Sequence, residues 1–251
     1  MHPSRAFMVL LPMLAVLPLR AQDLATTCGA TSSYDITLRA DSLLFDRAAP
    51  APTQVQLQDG ALRTNGVPVG LGPEDQDRLA LFERGVRALE PQVKTVALHG
   101  VDLAMRAMHD EAASMGLSTE TRAELDSRLA AHAAELRQRI GASHSTHDWQ
   151  GPVIQQYANQ VAGEITPLLA GDLGQQALNA AMNGNLQAAA DLRDRAADLA
   201  SGLQPRLQQR MQALRPQIQA LCPAIRRLAE LQQGVRGSNG LPLNLLQVGG
   251  P

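Results

Sequence analysis

The chain has 251 residues, with 22 basic against 24 acidic side chains and a formal net charge of −2. That balance argues against a protein that holds nucleic acid by bulk charge. Aromatic residues make up 2% of the chain, too few for a large aromatic-rich enzyme core, while Ala, Leu, Gln and Arg dominate, as in long helices packed through aliphatic seams.

Met1 to Ala21 read as a secretory signal: Arg5 supplies a short positive start, Ala6 to Leu19 an apolar run, and Leu19-Arg20-Ala21 a small residue at a cleavage position. The run is broken by Pro12 and Pro18 and falls short of the roughly twenty apolar residues a spanning helix needs. It therefore reads as a cleaved leader rather than an anchor, with cleavage after Ala21 or after Ala25. Cys28 does not directly follow the apolar run, and Ala25-Thr26-Thr27 is a poor approach for lipid attachment, so the expectation is an exported, periplasmic, unlipidated chain. Only Cys28 and Cys222 are available for pairing, and in an oxidising compartment a disulfide is the default. Free thiols or pairing with another chain are the alternatives. Closing a loop of roughly 190 residues would restrict the unfolded chain by about 5 kcal/mol in the chain-entropy model.

Residues 22–71 read as a β-rich module. Ile36, Leu38 and Ala40 alternate with polar residues, as do Val55 and Leu57, and Asp59-Gly60 and Asn65-Gly66 flank a short strand at Leu62. Both dipeptides suit type I′ turns, which need positive φ at two consecutive residues. Ala48 to Pro52 reads as a loop.

Residues 72–233 read as helical. Pro73, Glu74 and Asp75 open the first helix, and Leu79, Phe82, Val86, Leu89, Val93, Val96, Gly100 and Leu103 form a heptad seam. Pro91 is expected to kink that helix or break it in two, and Gly116 to end it. A second helix starts at a cap provided by Thr121 with Glu124, or by Ser118 or Thr119, and its seam runs Leu125, Leu129, His132, Leu136, Ile140. After a polar loop from Ala142 to Pro152 comes a weaker helix carrying Val153, Tyr157, Val161, Ile165 and Leu168. Gly171, Gly174 and Asn183-Gly184-Asn185 are expected to punctuate short segments, before Leu186 to Gly202 resumes as helix. The last seam, Leu207 to Leu228, is interrupted by Pro216 and Pro223 and predicts a kinked or segmented helix. Residues 234–251, rich in Gly, Pro and Asn, predict a disordered tail, with docking through Leu241, Leu243, Leu245 and Leu246 as the alternative. The fold class is thus α+β: a small N-terminal β-meander followed by a long, mostly helical hairpin or bundle with heptad-like seams.

His144, His147 and Asp148 form the one cluster with the ligand chemistry of a divalent metal, although the loop lacks the His-Glu-x-x-His string of a catalytic zinc helix, and a solvated turn is its ordinary reading. His99 and Asp102 read as an i, i+3 surface pair, and His109, Asp110 and Glu111 as polar helix surface. Arg206, Arg210, Arg215, Arg226 and Arg227, with one acid among them at Glu230 once Arg236 is added to the stretch, are a candidate face for an acidic partner or anionic lipid headgroups, against the ordinary reading of a solvated helix face. No nucleophile elbow, Ser-x-x-Lys string, phosphate loop or dinucleotide fingerprint is present, and Lys94 is the only lysine. No cofactor is called for.

Cys28, the β-stretch with Asp59-Gly60 and Asn65-Gly66, the switch to helix after Leu71, Arg87-Ala88-Leu89-Glu90-Pro91, and Cys222 together resemble the YggN-like family of exported proteobacterial proteins of unknown function. The resemblance runs from Cys28 to about Leu231 and implies export and the cysteine pairing, with no catalytic residues. Heptad seams without active-site chemistry favour a non-catalytic binding or structural protein that offers a helical face to an envelope partner. A metal-dependent hydrolase at His144, His147 and Asp148 and an anionic membrane-surface binder at the arginines are the competing readings. The oligomeric state is left open.

Overall fold

The structure, a computed structural model, describes residues 27–149 and 151–249, apart from the side chains of residues 151 and 198–205. The leader at residues 1–21 and both cleavage positions lie outside these residues. The chain is α+β. Five strands form an antiparallel meander in sequence order: β2 (Asp35–Leu38), β3 (Leu43–Asp46), β4 (Gln54–Gln58), β5 (Ala61–Thr64) and β6 (Val67–Val69). A separate pair joins β1 (Ala30–Thr31) to β7 (Gln247–Val248). The helices are α1 (Pro73–Ser114), α2 (Thr119–Ala142), α3 (Gly151–Met182), α4 (Leu186–Met211) and α5 (Arg215–Leu231).

The two tight turns form as their residues dictate. Asp59 and Gly60 have φ of 49° and 82°, and Asn65 and Gly66 of 49° and 78°, placing Leu57 opposite Leu62 and Thr64 opposite Val67. Gly60 is needed twice over, because a Cβ there would lie 2.3 Å from the Gln76 carbonyl oxygen in the first turns of α1. Glu83, buried on α1, accepts the Asp59 backbone N–H at 2.9 Å and the Arg87 guanidinium at 2.9 Å, which fastens this turn to the helix.

The inner face of the sheet carries Leu43, Phe45, Val55, Leu57 and Leu62 onto Leu79 and Phe82 of α1 and Leu228 of α5. Tyr34, Phe45 and Phe82 meet there, with ring centroids 6.3 and 6.1 Å apart, so half of the chain's six aromatic residues serve this one core. The far half of α1 packs instead with α2, α3 and α4 around Met105, Ala112, Leu125, Leu129, Ile165 and Leu169. No aromatic residue enters that aliphatic cluster.

Four expectations are corrected. Residues 234–249 are folded rather than loose: Leu243 and Leu245 are buried in the sheet core, and β7 pairs antiparallel with β1. The Gln232 side chain accepts the Leu245 N–H at 3.0 Å and donates to the Leu246 carbonyl at 2.8 Å, and Ser238 bonds Thr64 at 2.7 Å. The Gly and Pro content that suggested disorder builds turns, with positive φ at Gly234 and Gly240. Of the kink or break expected at Pro91, the break does not occur: helix α1 runs through it as a single 42-residue element about 63 Å long, packing along both halves outweighing the one lost hydrogen bond. Helix α3 likewise runs unbroken through Gly171 and Gly174 for 32 residues. The α1 seam is not a strict heptad: burial moves from Leu79 and Phe82 to Val101, Ala107 and Ala112, while Val93 is exposed. A 3.6-residue helix drifts about 20° per heptad, and α1 lets its buried stripe rotate from the sheet to the bundle. Ser118 caps α2, its hydroxyl accepting the Thr121 N–H at 3.2 Å. The final helical stretch is segmented, by a 3₁₀ turn at Gln212–Leu214.

Candidate interaction face

Cys28 and Cys222 form a disulfide spanning 194 positions and pack against Ala30, Leu221 and Ile225. The bond fixes the first strand pair to α5, and the pairing of β1 with β7 brings the two ends of the described chain together. A pairing of this kind belongs to an oxidising environment.

The His144, His147 and Asp148 side chains diverge. His144 Nδ1 lies 3.1 Å from Glu90 Oε1, His147 Nδ1 lies 3.7 Å from Asp35 Oδ2, and Asp148 Oδ2 accepts the Ser143 hydroxyl at 3.0 Å. Glu90 is held below the usual carboxylate range, chiefly by the hydrogen bond from Lys94, with His144 adding to it against the opposing effect of burial. Among the described residues no group of three or more His, Cys, Asp or Glu side chains is placed to hold a metal ion. The loop instead covers the edge of β2. Leu38 N–H donates to the His144 carbonyl at 2.8 Å, Ile36 N–H donates to Thr146 Oγ1 at 2.8 Å, and Thr37 bridges Ser145. These donors would otherwise be free to pair with another chain. At the opposite edge, β6 carries Pro68, which has no N–H to offer.

The five arginines divide. Arg206 pairs with the buried Glu111 at 2.7 Å and Arg210 pairs with Asp110, tying α4 back to α1. Arg215, Arg226 and Arg227 are exposed. His99 and Asp102 do not pair with each other: His99 Nδ1 lies 2.7 Å from Gln217 Oε1, and Asp102 meets Arg137 at 2.7 Å, whose hydrogen bond lowers the carboxyl's pKa. His109 meets Asp126 at 2.9 Å across α1 and α2.

His132, on the α2 seam, is half-buried and hydrogen-bonded at the α2–α3 boundary. Its Nε2 lies 3.0 Å from Glu164 Oε2, and Tyr157 Oη donates to its carbonyl at 3.1 Å. The Tyr157 phenol is pushed up to about 12, first by burial and then by the Glu135 and Glu164 carboxylates, against the Arg139 cation. Asp172 is the second link. It accepts the Ser118 N–H at 3.0 Å, the Thr121 hydroxyl at 3.0 Å and the Gln176 amide at 2.7 Å. Burial raises its pKa, but these hydrogen bonds outweigh burial and leave the carboxyl below its ordinary value.

Glu164 and Asp172 are the only charged residues of α3, and both turn toward α2. Between Trp149 and Ala190 the chain contains no Lys, Arg or His at all. Glu164 keeps its side chain 43% exposed, in line with Gly171 and Leu178, so the solvent side of this 32-residue helix carries that one charge and is otherwise neutral. It shows amides (Gln156, Asn159, Gln160, Gln175, Asn179) and Gly163, Gly171 and Gly174, where an added Cβ would meet nothing within 4 Å. Toward the turn into α4 the surface becomes apolar: Leu178 is 53% exposed, Met182 69% and Leu186 72%. Most such side chains are buried in folded proteins, and here three are exposed at one hairpin end. Among the described residues no helix is long and apolar enough to cross a membrane. Sequence reasoning did not single out Leu178, Met182 or Leu186; the absence of Lys, Arg and His from 150 to 190 was the available signal.

The family model of a protein of unknown function, DUF2884, matches residues 28–240. The chain belongs to that family. The DUF2884 match takes in both cysteines, the meander, all five helices and the start of the folded C-terminal segment. No curated protein and no solved structure matches the chain.

Proposed function

We propose that this DUF2884 protein is a non-catalytic binding protein of the periplasm that offers the outer face of α3 to a protein partner in the cell envelope. The leader, the Cys28–Cys222 disulfide and the resemblance to the YggN-like family support the address. The exposed side of α3, with Glu164 as its one charge and ending in Leu178 and Met182, carries the binding reading. Burying what Leu178, Met182 and Leu186 still expose contributes about 1–2 kcal/mol each. Association costs at least about 4 kcal/mol, so the apolar end alone does not hold a complex, and the nearly neutral helix face behind it must be covered too. The arginine-rich surface is a weaker candidate, because Arg206 and Arg210 are already engaged with Glu111 and Asp110.

Photo-crosslinking in intact envelopes tests this reading. A photoreactive side chain at Leu178 or Met182 should give a discrete protein adduct, while one at Arg137 on α2 should not. Adducts from neither α3 position, or equal smears from all three, would refute it.

A further inference from the structure

We draw no further inference here: the strongest candidate, the exposed apolar patch of Leu178, Met182 and Leu186 at the end of the α3–α4 hairpin, belongs to the face already described, and nothing in the structure shows what covers it.

Discussion

Helices α2 and α3 share one seam and differ in everything they show to water. Helix α2 carries eight Asp, Glu and Arg residues in 24, arranged as Glu124–Arg128 and Glu135–Arg139 pairs at i, i+4 and as cross-links to Asp102 and His109 of α1. Helix α3 carries two in 32, Asp172 bonded to the start of α2 and Glu164 bonded to His132 but still exposed. A surface such as that of α2 is saturated by its own ion pairs and by water. That of α3 has amides that water solvates well beside Gly and aliphatic groups, of which the aliphatic ones are poorly solvated. Burial alone does not separate the two helices, since both fill the same core; the chemistry of the exposed side does.

The shared seam gives the largest test of that comparison. Leu125→Ala on α2 removes a fully buried side chain from the common cluster and should cost about 2–5 kcal/mol, read as a lowered denaturation midpoint. Helices α2 and α3 should lose amide protection together; independent melting would show that the seam is not shared.

Asp172 is the next lever. Asp172→Ala takes acceptors from Ser118, Thr121 and Gln176 and should cost about 1–2 kcal/mol, with the first turn of α2 fraying in amide exchange. Because the folded pKa is depressed, the contribution is present above the unfolded carboxylate value of about 3.9 and fades as pH falls through the lower folded value. The parent chain should therefore lose stability relative to Asp172→Ala on acidification below about pH 4, and a constant difference down to strong acid would contradict this assignment.

Smaller effects come from the outer faces. Gly171→Ala on α3 meets no neighbour and should stabilise the protein by about 0.5–1 kcal/mol in thermal unfolding. Glu135→Ala on α2 removes an exposed pair with Arg139 and should change stability by less than about 0.5 kcal/mol. A loss from Gly171→Ala in dilute protein would mean that the α3 face is already packed within one chain.

Legibility in the sequence tracks locality. Asp59-Gly60 and Asn65-Gly66 announce their turns because the required φ is a property of the dipeptide itself. Cys28 and Cys222 were readable because only two cysteines exist and the leader implies oxidation. Strand β3 was not, since Leu43, Leu44 and Phe45 are all buried and hide the alternation. Leu243 and Leu245 gave no local sign of order; their partners, Phe45 and Leu79 among them, lie far away in sequence. His144, His147 and Asp148 are neighbours in the chain, yet the path of the loop along β2 sends them to three different partners. The nearly neutral side of α3 was legible as missing Lys, Arg and His, but its exposure needed the bundle to show which side faces α2.

Methionine oxidation tests the covered face most directly, because Met182 reports on its own surroundings. At 69% exposed, Met182 should convert rapidly to the sulfoxide when the dilute purified chain meets peroxide, whereas the buried Met115 should not. In intact envelopes the account predicts that Met182 becomes protected toward the level of Met115, as measured by mass spectrometry. Oxidation of Met182 at the same rate in envelopes and in dilute solution would contradict it.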